Sequence, residues 1–221
     1  SAITDVLFGD VTPSGKLADT WAWNIKDFPS TETFYNKDVN YTEGIYVGYR
    51  YFDTFNITPY KEFGFGKSYT SFSIDVIDLR VNGLECSIDV NVKNIGKYNG
   101  KEVVQVYLSK PDGKLEQPYQ ELVDFEKTKV LAPNESEKVS IKFNLSDFAG
   151  YNTDDGTYIL EAGQYILRVG NSSRNTHIAA VLELEEDLIT CYLKNVMKTN
   201  AVFDCISKRD IAPYTYDGES K

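Results

Sequence analysis

The chain has 221 residues, with 23 lysines and arginines against 33 aspartates and glutamates and a single histidine, so its formal charge is −10. Such a surface repels a phosphate backbone and argues against a nucleic-acid partner, while 42% apolar and 25% charged residues is the balance of a folded chain, not a disordered one. No run of about 18 apolar residues occurs, and Ser1-Ala2-Ile3-Thr4-Asp5 lacks the basic and apolar stretches of a signal peptide, so neither a membrane partner nor a targeting segment is expected and the compartment stays open.

At the start of the chain Ile3, Val6 and Leu7 recur at helical spacing ahead of Gly9, which predicts the last turns of a helix closed by a glycine cap. A helix that opens at residue 1 suggests a chain cut from a longer one. From Asp10 to Thr70 the sequence is rich in Gly, Pro, Tyr and charge and holds no sustained period, so this stretch is expected to lie over another surface as a bridging segment.

From Phe72 onward apolar and polar residues alternate in runs that predict half-buried strands through 72–80, 84–92, 103–108, 122–130, 138–145, 165–169 and 178–184. The clearest sets Leu84, Cys86, Ile88, Val90 and Val92 against Glu85, Ser87, Asp89 and Asn91. A second sets Val139, Ile141, Phe143 and Leu145 against Lys138, Ser140, Lys142 and Asn144. Asn82-Gly83, Asn99-Gly100, Pro111-Asp112-Gly113, Ala132-Pro133-Asn134 and Ala162-Gly163 separate the runs as turns. Seven short strands in this pattern predict a mainly β chain built on an immunoglobulin/fibronectin type III-like β-sandwich. Beyond them, Leu188, Ile189, Tyr192, Leu193, Val196 and Met197 at helical spacing behind Glu185-Glu186-Asp187 predict a short amphipathic helix. The rest, to Lys221, reads as a tail or linker.

Several chemistries are excluded by what is missing. Cys86, Cys191 and Cys205 are an odd number at long spacings, read as free thiols and not as a disulfide framework or zinc site. With His177 as the only histidine and no nucleophile motif, a serine or cysteine triad has no base. No cofactor and no metal is expected. Aromatic residues reach 14%, a share that suits sugar-binding surfaces and equally the core of a β-rich protein.

Three ordered segments carry a family resemblance: Asp5-Val6-Leu7-Phe8-Gly9-Asp10-Val11-Thr12-Pro13-Ser14-Gly15-Lys16-Leu17, then Tyr41-Thr42-Glu43-Gly44-Ile45-Tyr46-Val47-Gly48-Tyr49-Arg50-Tyr51-Phe52-Asp53, then Phe63-Gly64-Phe65-Gly66-Lys67-Ser68-Tyr69-Thr70. They closely resemble the end of the second catalytic domain, an α/β-sandwich, of family 3 glycoside hydrolases, the β-glucosidase group. Val92 to Leu108, Glu161 to Tyr165 and Val169 to Arg174 resemble the fibronectin type III-like domain that follows in many members. The resemblance implies residues 1–70 as the C-terminal edge of the α/β-sandwich domain with a bridging segment, 71–185 as the fibronectin-like sandwich, and 186–221 as a tail or linker. It departs from the family at Lys67, where leucine is usual, and in running on for about 35 residues past the last sandwich strand, as in a permuted or clipped member.

The resemblance further implies a retaining glycosidase acting on a β-glucoside or oligosaccharide, with a barrel-containing remainder as partner. The motifs of the nucleophilic aspartate and the acid/base glutamate are not found on this chain, so it is expected to be inactive alone. Glu43 stands before a glycine, as the family's acid/base does, but its surroundings match the later structural motif, so Glu43 and Arg50 are read as anchors of the long segment. Tyr41, Tyr46, Tyr49, Arg50, Tyr51 and Phe52 are the candidates to approach the sugar site, against a reading as interdomain packing. His177 is read as an ordinary sandwich residue and the acidic run Glu183 to Asp187 as a solvated face. Asn-x-Ser/Thr sequons at Asn40, Asn56, Asn134, Asn144 and Asn171 matter only in a eukaryotic secretory pathway. Two other classes fit the strands: a non-catalytic carbohydrate-binding module, and a structural interaction domain that leaves residues 1–70 without a purpose.

Overall fold

The computed structural model describes residues 1–194, 196 and 204–208. The opening helix α1 spans Ala2–Phe8, with the Ser1 hydroxyl accepting from Thr4 N–H and Gly9 closing it at φ 83. Residues 10–70 contain two 3-10 turns, Ile25–Asp27 and Pro29–Glu32, the short helix α2 at Tyr49–Thr54, and one isolated bridge pairing Trp21 with Lys61. The absence of a period there reflects a segment whose hydrogen bonds go to another surface.

That surface is a sandwich of three strands on four. β1 (Phe72–Asn82), β2 (Glu85–Asn94) and β5 (Ser136–Asn144) pair in the order β1-β2-β5, and β3 (Val103–Ser109), β4 (Glu121–Lys127), β8 (Gly163–Ser172) and β9 (Asn175–Leu184) in the order β4-β3-β8-β9. All seven predicted strands are present, and all these pairs are antiparallel. Alternation puts matching apolar residues in register: Ile88 faces Ile141 and Val90 faces Val139 in one sheet, while Val106 faces Val169 and Leu108 faces Leu167 in the other. These side chains meet between the sheets and form the core with Val92, Val104, Leu131, Leu160 and Tyr165. Tyr165 donates its hydroxyl to the Glu161 carbonyl, and burial pushes its phenol up to about 12.

A third, small sheet orders β10 (Leu188–Tyr192), β7 (Thr157–Leu160) and β6 (Gly150–Asn152). It corrects the helix expected over Leu188 to Met197. Leu188 and Ile189 pair with Leu160 and Ile159, and a register shift before Cys191 breaks the two-residue alternation, leaving apolar residues at a spacing that mimics a helix. Met197, the far end of that expectation, lies outside the described residues. Cys86 is buried and unpaired, and Cys191 and Cys205 are exposed and unpaired. Among the described residues no helix is long and apolar enough to cross a membrane, and no cluster of histidine, cysteine and carboxylate side chains is arranged to hold a metal.

β3 explains how the two parts of the chain fit. Every one of its residues is buried, although a sandwich strand normally wets its outer face. Val104, Val106 and Leu108 point into the core, so Val103, Gln105, Tyr107 and Ser109 point outward; the bridging segment covers Gln105 and Tyr107, and Ser109 accepts from Arg168 of β8.

Candidate functional site

The bridging segment is fixed to the outer face of the four-stranded sheet by aromatic stacking and hydrogen bonds. Tyr49, at the start of α2, stacks on Phe63 at 4.6 Å and meets Tyr107 edge-on at 6.1 Å. Its hydroxyl accepts the Leu122 N–H at 2.7 Å, and burial pushes its ionisation upward. Gln105 donates to the Gly64 and Asn171 carbonyls at 3.3 and 2.9 Å and accepts from Tyr107 Oη at 2.6 Å. Gly64 is required here: it sits at φ 78, and a Cβ on it would lie 2.2 Å from Gln105 Oε1. Thr54 Oγ1 accepts from Tyr119 N–H at 2.8 Å, and Lys16 pairs with Glu102 at 2.7 Å.

At the centre lies a buried ion pair. Asp53 of α2 is 1% exposed, and its Oδ1 accepts from Arg174 Nε at 2.7 Å. Arg174 occupies the turn between β8 and β9, and its terminal nitrogen also donates to the Phe52 and Ile57 carbonyls, each at 2.9 Å. Gln120, at the head of β4, donates to Asp53 Oδ2 at 3.0 Å and to the Ser173 carbonyl at 2.7 Å. Burial outweighs the guanidinium and lifts the Asp53 carboxyl to about 6. So sealed a group is out of a substrate's reach, and its work is to hold α2 on the sandwich.

A second clasp forms on Glu116 in the loop between β3 and β4. Tyr46, 1% exposed, donates its hydroxyl to that carboxylate, as does Ser207, and Lys208 N–H joins them at 3.3 Å. Ile206 N–H reaches the Thr42 carbonyl at 2.9 Å, so residues 204–208 tie the bridging segment to this loop. Burial, reinforced by Glu116, pushes the Tyr46 phenol far above its ordinary range.

The sequence-predicted residues divide between these roles. Tyr46 and Tyr49 are buried in the two contacts just described, and Arg50 pairs with Glu121 at 3.4 Å as an anchor. Tyr51 packs on Phe55 and Phe52 at 4.9 and 5.7 Å. Tyr41 is 88% exposed. Glu43 is half-buried, and its carbonyl accepts from Tyr46 N–H at 2.9 Å in a local turn while its side chain has no hydrogen bond or ion pair among the described residues, so the charge-assisted anchoring expected of Glu43 is not found here. Asp53 and Arg174 each close a quoted family motif, but their pairing across 121 residues is not written in either motif, and Gln120 and Glu116 lie outside all of them.

One apolar surface is left bare. None of α1 is buried, and Ile3, Leu7 and Phe8 are 75, 76 and 80% exposed. Leu7, Phe8 and Val11 flank an open cleft of about 1160 Å³ whose lining also includes Lys97, Tyr98, Lys101 and Lys127.

Residues 1–49 match the glycosyl hydrolase family 3 C-terminal domain, and residues 102–173 match a fibronectin type III-like domain. The chain is similar to beta-glucosidase A of Butyrivibrio fibrisolvens, 38% identical over 98% of this chain and 29% of the relative, and to a beta-glucosidase of Ruminococcus albus, 45% identical over 77% of this chain and 19% of the relative. It superimposes on the crystal structure of a beta-glucosidase from Paenibacillus barengoltzii with a TM-score of 0.84 and 40% identity, covering 87% of this chain and 23% of that one. The chain thus spans under a third of the length of the proteins it matches. On these grounds the chain belongs to glycosyl hydrolase family 3, as the C-terminal region where the end of the family's C-terminal domain meets a fibronectin type III-like domain.

Proposed function

We propose that this chain is the non-barrel part of a family 3 β-glucosidase, that the whole enzyme removes terminal non-reducing β-D-glucosyl residues with retention, and that this part braces the catalytic domains. The observation that carries the reading is the contrast between its two surfaces. Inside the chain the bridging segment is tied to β3, β8 and the β8–β9 turn by hydrogen bonds, stacked rings and a buried ion pair, whereas α1 shows a bare apolar stripe of the kind further protein would cover. A rigid sandwich that holds one edge of the catalytic region limits the motion of the groups that must meet at the sugar.

Retention requires two carboxyl groups roughly 5 to 5.5 Å apart, one forming the glycosyl-enzyme bond and the other exchanging the proton. In this reading both are supplied by the remainder of the polypeptide. Tyr41, the exposed member of the predicted aromatic set, is then the ring available to an outer sugar subsite. The domain division at 70 and 185 follows the same reading: the first of β1's residues is Phe72 and the last of β9's is Leu184.

Nitrophenyl-β-glucoside hydrolysis tests it, measured on the chain alone and on the polypeptide or complex that carries it with a barrel, with the anomer of the released glucose followed by NMR. Turnover only with the barrel present, releasing β-glucose first, is expected. Turnover by the isolated chain, or α-glucose as the first product, would overturn the proposal.

A further inference from the structure

A second groove, away from α1, is lined by Trp21, Tyr60, Lys61, Phe65, Lys16 and Lys67 and encloses about 340 Å³. The antiparallel bridge between Trp21 and Lys61 builds it, with Trp21 N–H to Lys61 O at 2.8 Å and Lys61 N–H to Trp21 O at 3.0 Å. The Trp21 indole, 54% exposed, and the Tyr60 phenol, 46% exposed, both line the groove, and the Tyr60 ring is supported edge-on by Trp23 at 4.7 Å. Two flat rings on a fixed backbone bridge are a surface on which a pyranose stacks.

The polar groups decide which pyranose. Lys61 is half-buried, with its ammonium 4.3 Å from the Phe65 ring centroid and 5.2 Å from that of Tyr60, and it has no carboxylate partner among the described residues. Lys67 is exposed and likewise unpaired, and the Trp21 indole N–H has no acceptor. Lys16 is engaged by Glu102. No lining residue is acidic, on a chain of net charge −10. The groove thus carries two lysines without a carboxylate partner and no acidic lining residue, and a half-buried ammonium held against rings is stabilised by an anion.

We propose that this groove binds a carboxylate-bearing sugar, a uronic acid unit of a β-linked glycan, with the ring stacked between Trp21 and Tyr60 and the carboxylate between Lys61 and Lys67. The proposal goes beyond the proposed hydrolysis, which requires no acidic sugar.

Both tryptophans of the chain adjoin the groove, so intrinsic fluorescence reports occupancy. The full chain is titrated with the disaccharide of β-linked glucuronic acid and glucose, and separately with cellobiose at matched ionic strength. The proposal expects a saturable change with the acidic sugar, little with cellobiose, and affinity reduced about tenfold or more in Lys61→Gln/Lys67→Leu. Circular dichroism checks that this variant folds, and the exposed single substitution Lys67→Gln, expected to weaken binding in the same direction, serves if it does not. An absent response, an equal response to both sugars, or undiminished binding in the variants would overturn it.

Discussion

Asp53 and Arg174 form an ion pair at 2.7 Å whose members come from opposite parts of the fold, α2 of the bridging segment and the β8–β9 turn of the sandwich. The two sides are unequal, since Asp53 is sealed at 1% exposure whereas Arg174 keeps 18% and two further carbonyl acceptors. Removing Arg174 strands a buried carboxylate. Arg174→Met is therefore expected to lower stability by about 3 to 5 kcal/mol at pH 8 in denaturant titrations. Asp53→Asn removes the charge together with its burial penalty and should change stability by less than about 1 kcal/mol. Equal losses in the two variants would contradict this asymmetry.

The same burial makes stability depend on pH. Because the Asp53 carboxyl is lifted to about 6 from an ordinary 3.8, the native state holds the proton more tightly than the unfolded chain. The contribution of this group is complete below the unfolded value and is lost as pH rises through about 6, so its share of stability falls across that window by something on the order of 3 kcal/mol. The difference between the wild-type chain and Asp53→Asn, followed from acid to neutral pH, isolates this share. A wild-type chain that gains stability over the variant across the window would show the sign to be wrong.

Gly64→Ala places a methyl group 2.2 Å from Gln105 Oε1 at a backbone φ of 78. Gln105 cannot swing away without releasing Tyr107 and the Asn171 carbonyl. Destabilisation of about 2 kcal/mol or more is expected from thermal unfolding. A change within a few tenths would mean that the segment is more loosely docked than described.

Glu43→Gln, in the enzyme with its catalytic domains, is expected to leave turnover within about twofold, because its side chain makes no hydrogen bond or ion pair among the described residues. Turnover that collapses and returns on adding azide would instead identify Glu43 as the acid/base.

The strands are legible where apolar and polar residues alternate over five residues or more, as in β2 and β5, whereas β3, buried on both faces, reads as a nearly continuous apolar run. β6 and β7, three and four residues long, are too short to show a period, and β10 was misread because its bulge shifts the alternation by one. The bridging segment was recognisable as something that lies on a surface, yet its attachment points were not, since Asp53, Gln120 and Glu116 acquire their roles only when the topology brings distant turns together. Of the six candidates near the sugar site, the sequence could not separate the buried Tyr46 from the exposed Tyr41, which lie five residues apart in one motif.

In the function proposed above, the bare stripe of α1 docks this region onto the catalytic domains. The direct test of this docking is the nitrophenyl-β-glucoside kcat/KM and melting temperature of the complete enzyme carrying Leu7→Asp and Phe8→Asp, two residues that are 76 and 80% exposed here and so are dispensable for the fold of this chain. The account predicts a fall of roughly tenfold or more in kcat/KM with a lower melting temperature, while the isolated chain carrying the same substitutions unfolds as before. An enzyme as active and as stable as the wild type would contradict it.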